Sequence, residues 1–358
     1  MRILQGAHPL EIDKEFKMKN AYSELSKKNF WNPSVGNINP FDIQKICEPK
    51  FKINKSDKIA TYGSCFAQHI GKNLKQRNCH WLVTEKAPEF INREIRNDYN
   101  YEIFSARTGN IYTTTLLRQW IENSFNNQGI TEIWEKDDRF YDPFRPTIEP
   151  NGFSTEKELI DSYRYTANCF QKSIVNSNVF IFTLGLTESW MNIENGYEYP
   201  ISPGVAAGEF DPCKHIFINQ DYPVVYNALK ESILELNNIN KNIKIILTVS
   251  PVPLIATKTG QHILSANTYS KSTLRAVAGD LAKQLEYVEY FPSFEIINSH
   301  IFRGIFFNHN QRTVNSHGID FVMNHFFDSF FSSDFSKHPK PELSNKCDEE
   351  LIEAFKQS

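Results

Sequence analysis

Two adjacent nucleophiles follow a glycine in Gly63-Ser64-Cys65-Phe66, where the short run Lys58-Ile59-Ala60-Thr61-Tyr62 gives way to apolar positions at helical spacing, Phe66, Ala67, Ile70 and Leu74. A nucleophile at a strand-to-helix turn gains twice: the bend exposes its side chain, and the helix N-terminus presents N–H donors to an oxyanion. Either the Ser64 hydroxyl or the Cys65 thiol is placed to attack, and a helix N-terminus favours thiolate. The same residues also read as a plain capping serine followed by a buried cysteine.

Such a nucleophile needs a base, and His262 stands in a loop after a strand, in Gln261-His262-Ile263-Leu264. Glu188 and Glu295 are carboxylates at strand ends that could orient it. Arg107, Lys271 and Arg275 are cations able to hold a substrate carboxylate or phosphate, although helical Arg275 reads as a solvated face. His69, one turn into the first helix, reads as surface.

The elements that must position these residues alternate. Strands are expected at 58–62, 179–184, 243–249 and 288–291, and helices at about 155–175, about 222–238 and Tyr269 to Leu285. Val179-Phe180-Ile181-Phe182-Thr183-Leu184 is an unbroken apolar run of the kind buried on both faces of a parallel sheet. The fold class is therefore α/β, a mostly parallel sheet with helices on both faces. Ligands of such sheets bind at the carboxyl ends of strands, so the segments after Tyr62, Leu184 (with Gly185), Val249 (with Ser250) and Phe291 are expected to converge on one crevice. Residues 1–55, broken by prolines, read as an irregular arm packed on the domain. Residues 56–331 form the α/β domain, with an aromatic-rich insertion at about 84–150 read as a cap, and 332–358 form a polar tail.

Composition narrows the function classes. The 358 residues carry 39 Lys+Arg against 42 Asp+Glu, a formal net charge of −3, which disfavours a basic nucleic-acid binder. No apolar stretch approaches the roughly 18 to 20 residues of a membrane span, and the first residues lack a signal-peptide core, so a cytoplasmic location is expected. Six cysteines, Cys47, Cys65, Cys79, Cys169, Cys213 and Cys347, show neither CxxC spacing nor clustering with histidine, which argues against a zinc site and a disulfide framework. No metal site is expected, and no oligomeric state can be assigned.

Gly63-Ser64-Cys65-Phe66-Ala67 resembles the signature of the GSCFA domain family, a bacterial group distantly related to the SGNH (GDSL-type) hydrolases. Four further segments resemble the same family: Phe104 to Tyr112, which contains Arg107 and Asn110; Thr183 to Trp190; Thr248 to Leu254; and Tyr290 to Glu295. The likeness spans roughly residues 56 to 330. It implies a flavodoxin-like three-layer sandwich. Counting from the glycine of the superfamily's Gly-Asp-Ser turn ranks Cys65 ahead of Ser64 as nucleophile. The superfamily's Gly-x-Asn-Asp block is similar to Gly185-Leu186-Thr187-Glu188, which puts Thr187 at the oxyanion-donating asparagine. Its Asp-x-x-His block falls on Asn310-Gln311-Arg312-Thr313, where both catalytic members are missing. Either activity is lost or another histidine serves: His262 ranks first because the likeness continues around it through Lys271, followed by His317 and His309, which flank the degenerate block.

The resemblance implies acyl transfer through a covalent acyl-enzyme. An O-acyltransferase (O-acetyltransferase) acting on a carbohydrate hydroxyl comes first, because a thiol exchanges readily with a thioester, making acyl-CoA a suitable co-substrate; no cofactor is expected to be permanently bound. Aromatics of the insertion could present stacking faces to a sugar, and Arg107, Asn110, Glu188, Trp190, Ser250 and Lys271 are the candidate substrate-binding residues. A carbohydrate esterase and a catalytically degenerate binding module are the alternatives.

Overall fold

The computed structural model describes residues 20–126, 128–332 and Ile352, and the chain divides into two contact units, 1–44 and 45–358. The first unit, described from Asn20, holds three short helical turns, Lys27–Asn29, Asn32–Gly36 and Pro40–Asp42. Prolines open the last two, where a missing N–H costs nothing. Its boundary falls earlier than the expected position 55, and the tail beyond Ser332 lies outside the described residues apart from Ile352.

The second unit runs β1 (Ile59–Gly63), α1 (Ala67–Gln76), α2 (Arg93–Asp98), α3 (Thr114–Phe125), β2 (Trp134–Lys136), β3 (Arg139–Tyr141), α4 (Glu156–Asn176), β4 (Val179–Leu184), β5 (Glu188–Asn192), β6 (Glu198–Tyr199), β7 (His215–Asn219), α5 (Tyr222–Ile239), β8 (Lys244–Val249), α6 (Ile263–Gln284), β9 (Val288–Phe291), α7 (Ser293–Asn298) and α8 (Ser316–Phe330). The central sheet is wholly parallel in the order β1-β4-β8-β9, as the apolar runs imply.

The period-2 alternation of each strand feeds two cores. Phe180, Phe182 and Leu184 of β4 point to one side, with Tyr163 and Phe170 of α4, Leu229 of α5 and Leu274 of α6. Val179 and Ile181 point to the other, with Ile70 of α1 and Phe326 and Phe330 of α8. Each large side chain buried this way contributes about 1.5–3 kcal/mol. Side-chain caps set the helix starts: Thr155, Asp221 and Asn315 accept from the N–H groups of Glu158, Val224 and Gly318. The chain between β8 and β9 turns helical at Ile263, earlier than the expected Tyr269, because His262 caps it through Nδ1.

Residues 84–150 are built into the domain rather than set over it. They run along the free edge of β1, where Ser105 donates its N–H to the Thr61 carbonyl at 3.3 Å and Ile111 to that of Gly63 at 2.9 Å, and α3 joins the layer of α4 and α5. Their polar heart is a closed charge network. Arg145 donates to Asp142 Oδ2 (2.6 Å), Thr166 Oγ1 (2.6 Å) and Ser162 Oγ (3.1 Å), and both side chains of the Arg145–Asp142 pair are fully buried. Thr166 donates onward to Glu85 Oε1 (3.0 Å), whose other oxygen accepts the Arg107 N–H (2.9 Å). The Arg107 guanidinium donates to Glu149 Oε1 (2.8 Å) and to the Tyr99 carbonyl (2.9 Å), and lies 4.0 Å from the Tyr101 ring centroid. The substructure the sequence does not announce is a three-stranded antiparallel sheet, β6-β5-β7, inserted between β4 and α5.

Candidate functional site

The turn after β1 exists because Gly63 permits it. Gly63 has φ of +128°, and a Cβ added there would lie 2.3 Å from the Thr183 carbonyl oxygen, so only glycine lets β1 approach β4 this closely. Ser64 then donates its N–H to that carbonyl at 3.0 Å and the chain bends into α1. Ala67 donates to the Ser64 carbonyl (2.9 Å) and Gln68 to that of Cys65 (3.3 Å), whereas the N–H groups of Cys65 and Phe66 have no hydrogen-bond partner among the described residues. These are the orphan donors of a helix start. Ser64 does not cap them: its hydroxyl, like that of Thr183, is buried with no partner among the described residues, and α1 has no side-chain cap. Ser64 and Cys65 are 2% and 6% exposed.

The other strand ends meet this turn as the sheet register requires, with Gly63 beside Thr183 and Thr183 beside Thr248. Gly185 lies against Ser64, where an added Cβ would come within 3.0 Å of Ser64 Cβ. Its carbonyl accepts from the buried Lys271 Nζ at 2.5 Å, so Lys271 anchors the loop after β4. Ser250 donates its N–H to the Leu184 carbonyl at 2.8 Å, and its Oγ accepts from Val252. Gly63, Gly185 and Ser250 therefore share the carboxyl end of the sheet.

Other expected members sit elsewhere or are already engaged. Thr187 donates its hydroxyl to Asn219 Oδ1 (2.7 Å) and its N–H to Ser270 Oγ (3.0 Å), because β7 brings Asn219 opposite Glu188; its single proton is committed away from any oxyanion. The N–H groups of Gly185 and Leu186 both go to the Tyr112 carbonyl. His262, His309 and His317 are all exposed, and no histidine among the described residues hydrogen-bonds Ser64 or Cys65. Asn310 Oδ1 accepts both the N–H and the hydroxyl of Thr313 at 3.0 Å, so the degenerate block closes on itself. Glu295 pairs with Arg275 and accepts from Tyr290 Oη at 2.7 Å, and Arg275 stacks 4.0 Å from the Tyr290 ring centroid rather than facing solvent alone. Arg107 is spent in the charge network, and Asn110 is buried, accepting from Gln68 Nε2 at 3.4 Å.

His69 corrects its expected surface position. It is buried and packs its ring 5.4 Å from that of Phe66; desolvation, reinforced by Lys72, pushes its pKa from 6.5 down to about 3, so it is neutral at ordinary pH. Thr183, Ser270 and Asn219 lie outside the set of residues the sequence singles out. Only Thr183 carries a signal, as a hydroxyl in an otherwise apolar strand.

Glu188 and Trp190, both on β5, line a cavity together with Leu186 and Leu254. Burial raises the Glu188 carboxyl above its ordinary pKa, although hydrogen bonds from Thr257 and the Lys258 N–H oppose the shift. Among the described residues no three His, Cys, Asp or Glu side chains converge as a metal site, and no helix is long and apolar enough to cross a membrane.

A wholly parallel sheet flanked by helices, with a serine and a cysteine side by side at the glycine turn after its first strand, defines an α/β protein with a candidate site. The chain belongs to the GSCFA family, whose family model matches residues 58–326. No curated protein and no solved structure matches it.

Proposed function

We propose that the protein transfers acyl groups through a covalent acyl-enzyme at the Gly63-Ser64-Cys65 turn, as an O-acyltransferase moving an acyl group from acyl-CoA to a carbohydrate hydroxyl. The observation that carries this reading is the pair of unclaimed N–H groups on Cys65 and Phe66 beside the nucleophiles, the donors a tetrahedral oxyanion requires. Cys65 ranks first. Its thiolate would attack the thioester carbonyl, CoA would leave as a thiolate and take up a proton, and the acceptor hydroxyl would attack the new thioester while losing its proton to a base. Sulfur needs activation less than a serine hydroxyl does, which suits a turn with no histidine bonded to it. His262 and then His317 are the bases of this reading; both are exposed, so each acts only if its segment closes over the turn with substrate bound. Thr187 would join the oxyanion site only by releasing Asn219.

Resolution of the same acyl-enzyme by water would make an esterase. A binding module without catalysis is the second reading, favoured by the self-satisfied Asn310–Thr313 block. Incubation with acetyl-CoA followed by intact-mass measurement separates them. A catalyst gains one acetyl group, lost in Cys65→Ala. Wild-type protein that stays unmodified while the positive-control transferase is acetylated points to the binding module, and an adduct that survives Cys65→Ala but not Ser64→Ala reverses the ranking.

A further inference from the structure

The cavity beside β5 encloses about 260 Å³, the liquid volume of roughly nine waters, enough for one small organic molecule. Its walls are mostly apolar: Leu186, Trp190, Phe217, Leu254 and Ile352. Trp190 is braced edge-on by Phe217 at 5.6 Å and by Phe210 at 5.3 Å, so the wall is a fixed aromatic surface. A sugar would leave most of its hydroxyls unpaired against such walls, whereas an aliphatic or aromatic body would lose only water.

The polar groups at the rim are unequal. Glu188 has both oxygens engaged, Oε1 accepting from Thr257 Oγ1 at 2.6 Å and Oε2 from the Lys258 N–H at 3.4 Å. It therefore latches the loop that carries Lys258. The Lys258 ammonium stands 5.9 Å from the Trp190 ring centroid, and among the described residues it has no carboxylate within ion-pair distance. An apolar chamber whose mouth carries a cation with no carboxylate partner among the described residues suits a ligand that is apolar at one end and anionic at the other.

We propose that this cavity binds a small amphipathic organic acid, with its aliphatic or aromatic body against Trp190 and Phe217 and its carboxylate at Lys258. Neither Ser64 nor Cys65 lines the cavity, so this proposal stands or falls without the acylation reading.

The test is calorimetric titration of the full-length protein with octanoate, octanol and octylamine, which share a chain and differ in headgroup. Octanoate should bind most tightly and octylamine least. Ala256→Phe, which fills the cavity from an exposed loop position, should weaken octanoate about tenfold or more, the loss expected when a buried chain is excluded. Lys258→Ala should weaken octanoate a few-fold and leave octanol unchanged. Cys65→Ala should bind as wild type does, so a failed acylation experiment and a failed cavity are read separately. Absence of saturable octanoate binding, indifference to Ala256→Phe, or preference for octylamine would overturn the proposal.

Discussion

Two buried polar regions lie side by side in this molecule and are built on opposite terms. In the network of Glu85, Arg107, Asp142, Arg145 and Thr166, each charged group has charged or hydrogen-bonding partners at short range. At the turn between β1 and α1, the hydroxyls of Ser64 and Thr183 and the N–H groups of Cys65 and Phe66 have none among the described residues. An unsatisfied buried polar group costs about 1–3 kcal/mol, so the first region is what stability alone would select and the second retains capacity that folding leaves unused. Richness in charge is thus a poor guide to the site here. Arg107, the most chemically suggestive cation in the sequence, belongs to the scaffold, and the turn proposed as the site holds no charged side chain.

The largest effect expected from this contrast is in the network. Asp142→Ala leaves Arg145 buried without its carboxylate and should cost about 3–5 kcal/mol in urea unfolding; a loss below about 1 kcal/mol would show that the network is not the rigid region described. A smaller effect concerns His69, on the helix that begins at the turn. The native imidazole protonates only near pH 3 and an unfolded one near 6.5, so between these values the unfolded chain binds more protons and acidification removes stability. Unfolding free energy should therefore fall below pH 6.5 with a slope contribution of up to about 1.4 kcal/mol per pH unit, and His69→Gln should abolish that contribution. An unchanged slope in the variant would place the titration elsewhere.

The smallest effect is the sharpest comparison, because the same chemical change is made in both regions. Thr183→Val deletes a hydroxyl with no partner among the described residues and should be neutral or stabilising by up to about 1 kcal/mol, whereas Thr166→Val deletes one that bridges Arg145 and Glu85 and should destabilise by about 1–3 kcal/mol. Equal signs in paired thermal melts would dissolve the distinction.

The central sheet was legible because its strands are buried on both faces and so read as continuous apolar runs; Val179–Leu184 is the plainest. The turn was legible because a glycine at positive φ beside a helix start has a local signature. The sheet of β5, β6 and β7 was not, since β6 is two residues long and the alternation of β5 is short. That omission had consequences for the site: Asn219 of β7 is what occupies Thr187, and no local pattern near Thr187 announces a partner thirty-two positions away. The burial of His69 is not legible locally for a related reason. Burial of one helical position depends on what packs over it, and α8, which shares that core with α1, lies at the far end of the domain's sequence.

The strand order has a consequence for how the chain is made. Because β1, β4, β8 and β9 follow one another in sequence, the crossover helices α4, α5 and α6 all cover one side of the sheet, and the opposite side is closed chiefly by α1, α7 and α8. Ile53, ahead of the first strand, donates its N–H to the Phe330 carbonyl at 2.8 Å, tying the opening of the domain to its closing helix. On the ribosome, then, one layer can assemble progressively, but the other waits for α8 to emerge. Until it does, a nascent chain carries a bare strip of Ile and Phe side chains, a natural recognition surface for chaperones and the period in which aggregation competes with folding.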